Sequence, residues 1–115
     1  MAPDRQAIGL RDEWRCWRCG YLRLAAALSS IHHRKLRKQG GRDAPSNLIL
    51  LCGSGTTGCH GWVHAHPRDS RDKGWLVPSW ADPAQRPVWH EHGQRWVLLD
   101  DDCGITPYLQ DEEAR

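Results

Sequence analysis

The stretch Leu51-Cys52-Gly53-Ser54-Gly55-Thr56-Thr57-Gly58-Cys59-His60-Gly61-Trp62-Val63-His64-Ala65-His66-Pro67 decides how the chain is read. Its two cysteines enclose GSGTTG, a run too glycine-rich for regular structure but flexible enough to fold back on itself. From Cys59 the run CHGWVHA suits two helical turns. His60 and His64, four residues apart, then share one helix face and lie close enough to hold one metal. Cys59 points elsewhere around the same helix, so one short helix feeds two metal sites. His66, directly before Pro67, reads as a turn residue, and Pro67 opens a further short helix that ends at Gly74.

Upstream, Asn47-Leu48-Ile49-Leu50-Leu51 is an apolar run of the right length for a buried strand leading into Cys52. It pairs with an extended segment from Ser29 to His33, across a loop from Arg34 to Ser46 punctuated by Gly40, Gly41 and Pro45. Residues 5 to 14 read as a short helix leading into Cys16-Trp17-Arg18-Cys19-Gly20, two thiols flanking two residues before a glycine. YLRLAAALSS, between knuckle and strand, fits either a strand or a helical turn. After Trp75 the pattern changes to WLVPS, then PVWHE, a turn at His92-Gly93-Gln94, and RWVLL running into Asp100, Asp101 and Asp102, which reads as a small meander. The whole is one domain over 1–115, a length typical of a single core, with a zinc knuckle at 12–20, a core at 29–66 and C-terminal strands at 75–102.

Composition limits the alternatives. The chain has no Phe but seven Trp, so a core is assembled from indoles, Leu, Val and Ala, and a metal staple adds useful stability at this size. Trp17, Trp62, Trp75 and Trp96 are expected in that packing. The net charge of +2, from 16 basic and 14 acidic side chains, does not identify a nucleic-acid binder by itself. Its distribution says more: Arg34, Lys35, Arg37, Lys38 and Arg42 are interrupted by no acid, whereas the C-terminal end is acidic, a polarity suited to steering a phosphate polymer onto one side. LAAAL and LILLC are too short to cross a bilayer, and no secretory stretch is present, which gives the expectation of a soluble cytoplasmic protein without a membrane partner.

Five cysteines in such a setting point to metal rather than to disulfides. Cys16, Cys19, Cys52 and Cys59 supply the four thiolates of a closed tetrahedral zinc site, in which sulfur sits ~2.3 Å from the ion. Cys103 is left over and reads as a buried apolar residue. A second set consists of His32, His33, His60 and His64, with Asn47 between.

The order Cys-x-x-Cys, His-His, Gly-Gly, Asn-Leu-x-x-Leu-Cys, Cys-His and His resembles the HNH endonucleases, and LLCGSGTTGCHGWVHAHP with GWLV and WVLLDDD downstream is similar to small HNH proteins of tailed phages of actinobacteria. The resemblance spans about residues 12 to 102. It implies a small α+β fold with a ββα-metal core, stapled by the four-Cys zinc site and followed by a short C-terminal β-meander.

The resemblance also implies an activity, metal-dependent hydrolysis of DNA phosphodiester bonds, with double-stranded DNA as the partner. In it, His33 takes the place of the general base and His32, His60 and His64 those of ligands to a catalytic divalent ion, Mg²⁺, Mn²⁺, Ni²⁺ or Zn²⁺. Asn47 matches the middle residue that orients the base and braces the loop. A ligand imidazole has its lone pair on the metal and cannot also act as base, which divides the labour between His32 and His33. Arg34, Lys35, Arg37, Lys38 and Arg42 are expected along the DNA backbone. Phage relatives imply a role in genome packaging, terminase and portal as partners, and the host cytoplasm as location. The alternative is a non-catalytic zinc module that binds DNA or a packaging protein. Because side chains alternate across a strand, His32 and His33 can serve one site only if the strand ends or twists there.

Overall fold

The computed structural model describes residues 4–22 and 28–109. Most of the LAAAL segment, residues 24–27, lies outside the described residues. Helix α1 (Arg5–Arg11) is capped by Asp4, whose side chain accepts the Ala7 N–H. It stops short of residue 14, where the sequence reading ends it, because Glu13 and Trp14 take left-handed φ values of 55° and 54° and turn the chain into the knuckle.

Strands β1 (Ser29–His33) and β2 (Leu48–Cys52) pair antiparallel, from Ser29 opposite Cys52 to His33 opposite Leu48. All five residues of β2 are buried, as its uninterrupted LILLC pattern requires. Its outer edge is satisfied without a further strand. The Leu50 N–H donates to Asp12 Oδ2 at 3.0 Å and its carbonyl accepts from Trp17 N at 3.0 Å, while Arg11 donates to the carbonyls of Pro45 and Leu48. Helix α2 (Gly58–Ala65) follows the glycine loop, and α3 (Pro67–Asp72) follows it directly. Trp17, Ile49, Leu50, Leu51, Val63, Trp75, Val88, Val97 and Leu99 form one buried cluster; Trp62 packs against it partly exposed, and Trp96 meets Trp89 edge to face at 5.4 Å.

The C-terminal sheet is the meander β3 (Val88–His90), β4 (Arg95–Leu99) and β5 (Ile105–Pro107). The expected WLVPS strand does not form. Its peptide groups go to separate partners: Trp75 N to Ser70 O, Trp75 O to the His32 imidazole, and Val77 N to Arg34 O. The sheet therefore covers residues 88–107 rather than 75–102, gaining β5 beyond the aspartate turn. Cys103, partly exposed, lies in that turn with φ 62°. No helix among the described residues is long and apolar enough to cross a membrane.

One basic side chain expected on DNA is instead part of this framework. Arg34 is fully buried and its guanidinium donates to four carbonyls, those of Gly74 (2.8 Å), Ser46 (2.8 Å), Pro83 (3.1 Å) and Arg86 (2.9 Å). Burial lowers its pKa to about 9, so it stays a cation at neutral pH, solvated by carbonyl dipoles instead of water. Arg34 ties β1 to the C-terminal segment and has no surface left to offer a phosphate.

Candidate metal centres

The knuckle and the glycine loop bring Cys16, Cys19, Cys52 and Cys59 together, their sulfurs all within 4.8 Å of one another. Both pairs use the same local device. Cys19 N–H points at Cys16 Sγ (3.5 Å) and Cys59 N–H at Cys52 Sγ (3.4 Å), donors suited to thiolate charge. Six residues separate the second pair because the loop folds back tightly: Gly53 and Gly58 have φ of 85° and 62°, and a Cβ on Gly53 would meet Thr57 O at 2.2 Å. Arg18 lies over the Trp62 ring at 3.6 Å and donates to Cys59 Sγ at 3.4 Å. The neighbouring Cys59 thiol, followed by burial, pushes the Cys16 thiol strongly up. Four thiols so placed ionise together only around a cation, and the donor set fits zinc.

Helix α2 presents the next residue, His60, to a different group. The rings of His32, His60 and His64 sit 4.9 to 5.3 Å apart, and one nitrogen from each falls within 4.8 Å of the others. The hydrogen bonds assign the protons. His32 Nε2 lies 2.7 Å from Trp75 O and must donate to it, which leaves the lone pair on Nδ1, a buried atom without a hydrogen-bond partner. Ser30 Oγ donates to Gly53 O at 3.0 Å, so at 2.6 Å it accepts from His60 Nδ1–H, and the His60 lone pair is on Nε2. That atom lies 3.2 Å from His64 Nε2. Nitrogens held by one tetrahedral zinc at its usual bond length are about 3.3 Å apart, so the pair is spaced as two ligands of one ion.

Burial, then the neighbouring His60, lowers the His32 pKa to about 3; burial, then His64, lowers that of His60 to about 4. Both are neutral at physiological pH, the form that binds metal. The orphaned Nδ1 and the paired Nε2 atoms fit a divalent ion bound by three imidazoles, an arrangement that leaves coordination positions open.

His33 ends β1, and its imidazole has other partners. Nε2 lies 2.7 Å from Asp43 Oδ1, with the side chain 15% exposed. Asp43 also accepts from Arg37 Nη2 at 3.2 Å; the His33 bond first, and then the Arg37 charge, hold its carboxyl below the usual range. Arg37 Nε also lies 3.2 Å from His33 Nε2, but the shorter contact, to the Asp43 carboxylate that Arg37 Nη2 also bonds, takes the Nε2 proton, and His33 Nδ1 then carries the lone pair. Asn47 is buried, and its side-chain hydrogen bonds go to Lys35 and Arg42 rather than to His33. Its amide clamps the loop, accepting from Lys35 N (2.7 Å) and donating to the carbonyls of Lys35 (3.0 Å) and Arg42 (2.9 Å). Arg37, Lys38 and Arg42 are exposed, whereas Lys35 is half-buried and reaches Ala81 O at 3.3 Å.

Sequence reasoning missed Asp43, Ser30 and the Trp75 carbonyl. A backbone oxygen has no sequence signal, and Asp43 is ten residues from its partner without a periodic relation. Ser30 had one available, since it shares the strand face of His32 two residues on.

No curated protein and no solved structure matches the chain. A family model described as HNH endonuclease matches residues 15–66. Those bounds enclose all four clustered thiols and all three clustered imidazoles, so both clusters fall within the segment that is similar to the HNH endonucleases.

Proposed function

We propose that the chain is a metal-dependent endonuclease that hydrolyses DNA phosphodiester bonds. The observation that carries this reading is the convergence of one ring nitrogen from each of three imidazoles, one of them buried and unpartnered, with a fourth imidazole, the chain neighbour of His32, held by a carboxylate. When bound, a divalent ion supplies positive charge for the phosphate oxygens and the leaving alkoxide.

The chain's own residues do the rest. His33 accepts a proton from the attacking water at Nδ1, and Asp43 keeps the other ring proton on Nε2 and stabilises the imidazolium that forms. His32, held by the Trp75 carbonyl, and His60, held by Ser30, keep their lone pairs aimed at one point. Asn47 braces the loop between His33 and β2. Arg37, Lys38 and Arg42, with Lys35, hold backbone phosphates without reading sequence, so binding weakens with salt. The four cysteines hold a structural zinc away from the chemistry. A role in phage genome packaging with terminase and portal, in the host cytoplasm, rests on the resemblance alone.

The test is plasmid cleavage with Mg²⁺, Mn²⁺, Ni²⁺ or Zn²⁺ or with chelator, for the wild type and His33→Ala, alongside zinc analysis. Cleavage that needs added metal and falls about 10²- to 10⁴-fold in His33→Ala, at unchanged zinc content, is expected. Undiminished cutting by His33→Ala removes the assignment of the base. A wild type that binds DNA and cuts none leaves the non-catalytic zinc module.

A further inference from the structure

Trp80 is 78% exposed, the most exposed of the described tryptophans, yet it is held firmly. It lies in a turn closed by Ala81 N to Pro78 O at 3.0 Å. Val77 N–H binds Arg34 O on one side, and buried Ala81 receives Lys35 Nζ on the other. The Arg86 guanidinium lies over one face of the indole at 4.7 Å, which orients the ring.

Two clefts meet at this side chain. One, of about 480 Å³, runs from His64 to Trp80 past Lys38 and Arg71, and none of its described lining residues is acidic. The other, of about 400 Å³, is lined by Lys35 and Arg42 as well as Trp80; its two acids are Asp82, bonded to Ala84 N, and Asp101, bonded to Ser46 N. A planar aromatic thus stands between a cationic cleft that opens on an imidazole of the metal centre and a second cleft whose two cations face two carboxylates.

We propose that Trp80 is a stacking platform for an unpaired nucleobase, so that the preferred substrate is DNA with unstacked bases beside the scissile phosphate, single-stranded or forked, over a fully paired duplex. Phosphates follow Lys38 and Arg71 away from His64, and the indole takes a base on the face opposite Arg86. Bases inside a B-form duplex are already stacked on both faces and offer this ring nothing; an unpaired base offers its π-face whatever its identity. The inference rests on the nuclease reading for its substrate, but its test is one of binding.

The experiment measures affinity of the zinc-loaded full chain, by fluorescence anisotropy without added divalent ion, for a labelled single strand, a fork and a matched full duplex. The proteins are the wild type, Trp80→Ala and Trp80→Phe, each checked for zinc content; plasmid and fork cleavage by the wild type run in parallel. The wild type is expected to prefer the single strand and the fork. Trp80→Ala loses about tenfold on those two and under twofold on the duplex, while Trp80→Phe retains most of the affinity. A wild type without that preference, or an equal loss on all three DNAs, overturns the platform. Trp80-dependent binding without cleavage of any DNA upholds the platform and overturns the nuclease reading instead.

Discussion

The thiol cluster and the imidazole cluster are fed by adjacent residues of one helix, Cys59 and His60, yet they are built for opposite ends. The thiols come from two turns whose backbone N–H groups point at sulfur, and three of the four are buried. Four donors close a tetrahedral site and leave no position for a substrate. The imidazoles number three and descend in burial from His32 through His60 to exposed His64, which lines a cleft. A short helix can feed both a closed four-thiol cluster and an imidazole cluster left open to solvent because residues one apart on it face about 100° apart.

The strongest way to break this contrast is to remove one sulfur. Cys16→Ser is expected to abolish tight zinc binding and cooperative unfolding together, since a structural zinc contributes about 10 kcal/mol or more in small zinc folds; circular dichroism against temperature, with metal analysis, checks it. Retained cooperative unfolding without zinc would remove the distinction between the two clusters.

His60→Ala is expected to act on the other side only. Under divalent-ion titration the metal content falls from about two ions per chain to about one, while the thermal midpoint of the zinc-loaded protein changes little. Ser30→Ala sharpens the point by taking away the acceptor that fixes the His60 proton on Nδ1, and weakens the second ion about tenfold by calorimetry.

The smallest effect is on acid stability. His32 and His60 have folded pKa values of about 3 and about 4, below the unfolded value near 6.5. Above about pH 6.5 both are neutral in either state, and their contribution is complete. As the pH falls from there toward 4 and then 3 the unfolded chain takes up protons that the folded chain refuses, and stability is lost. Urea midpoints at pH 7.5, 6 and 5, without added divalent ion, are expected to decline across that window. A flat profile would mean that the imidazole cluster is more open to water than its burial implies.

The same contrast separates what the chain's residue order carries from what its folding adds. Cys16-x-x-Cys19 and His60-x-x-x-His64 are legible because turn and helix geometry alone set their spacing. The β1–β2 pairing is legible because LILLC admits only a strand buried on both faces. Arg34 misleads for the opposite reason. Within Arg34, Lys35, Arg37 and Lys38 it looks like one more surface cation, and the four carbonyls that take it inward lie 12 to 52 residues further along the chain. WLVPS carries a strand pattern but finds no strand edge to pair with.

The neighbouring histidines divide along the same line. Residue order determined that two imidazoles stand side by side at the end of β1, that one helix carries two more, and that four thiols can close on a zinc. Only the tertiary structure decided their partners: Trp75 O for His32, Ser30 for His60 and Asp43 for His33. Ligand spacing is a property of a few consecutive residues, whereas the hydrogen bond that assigns a proton to one ring nitrogen depends on whichever group the folded chain brings within 3 Å.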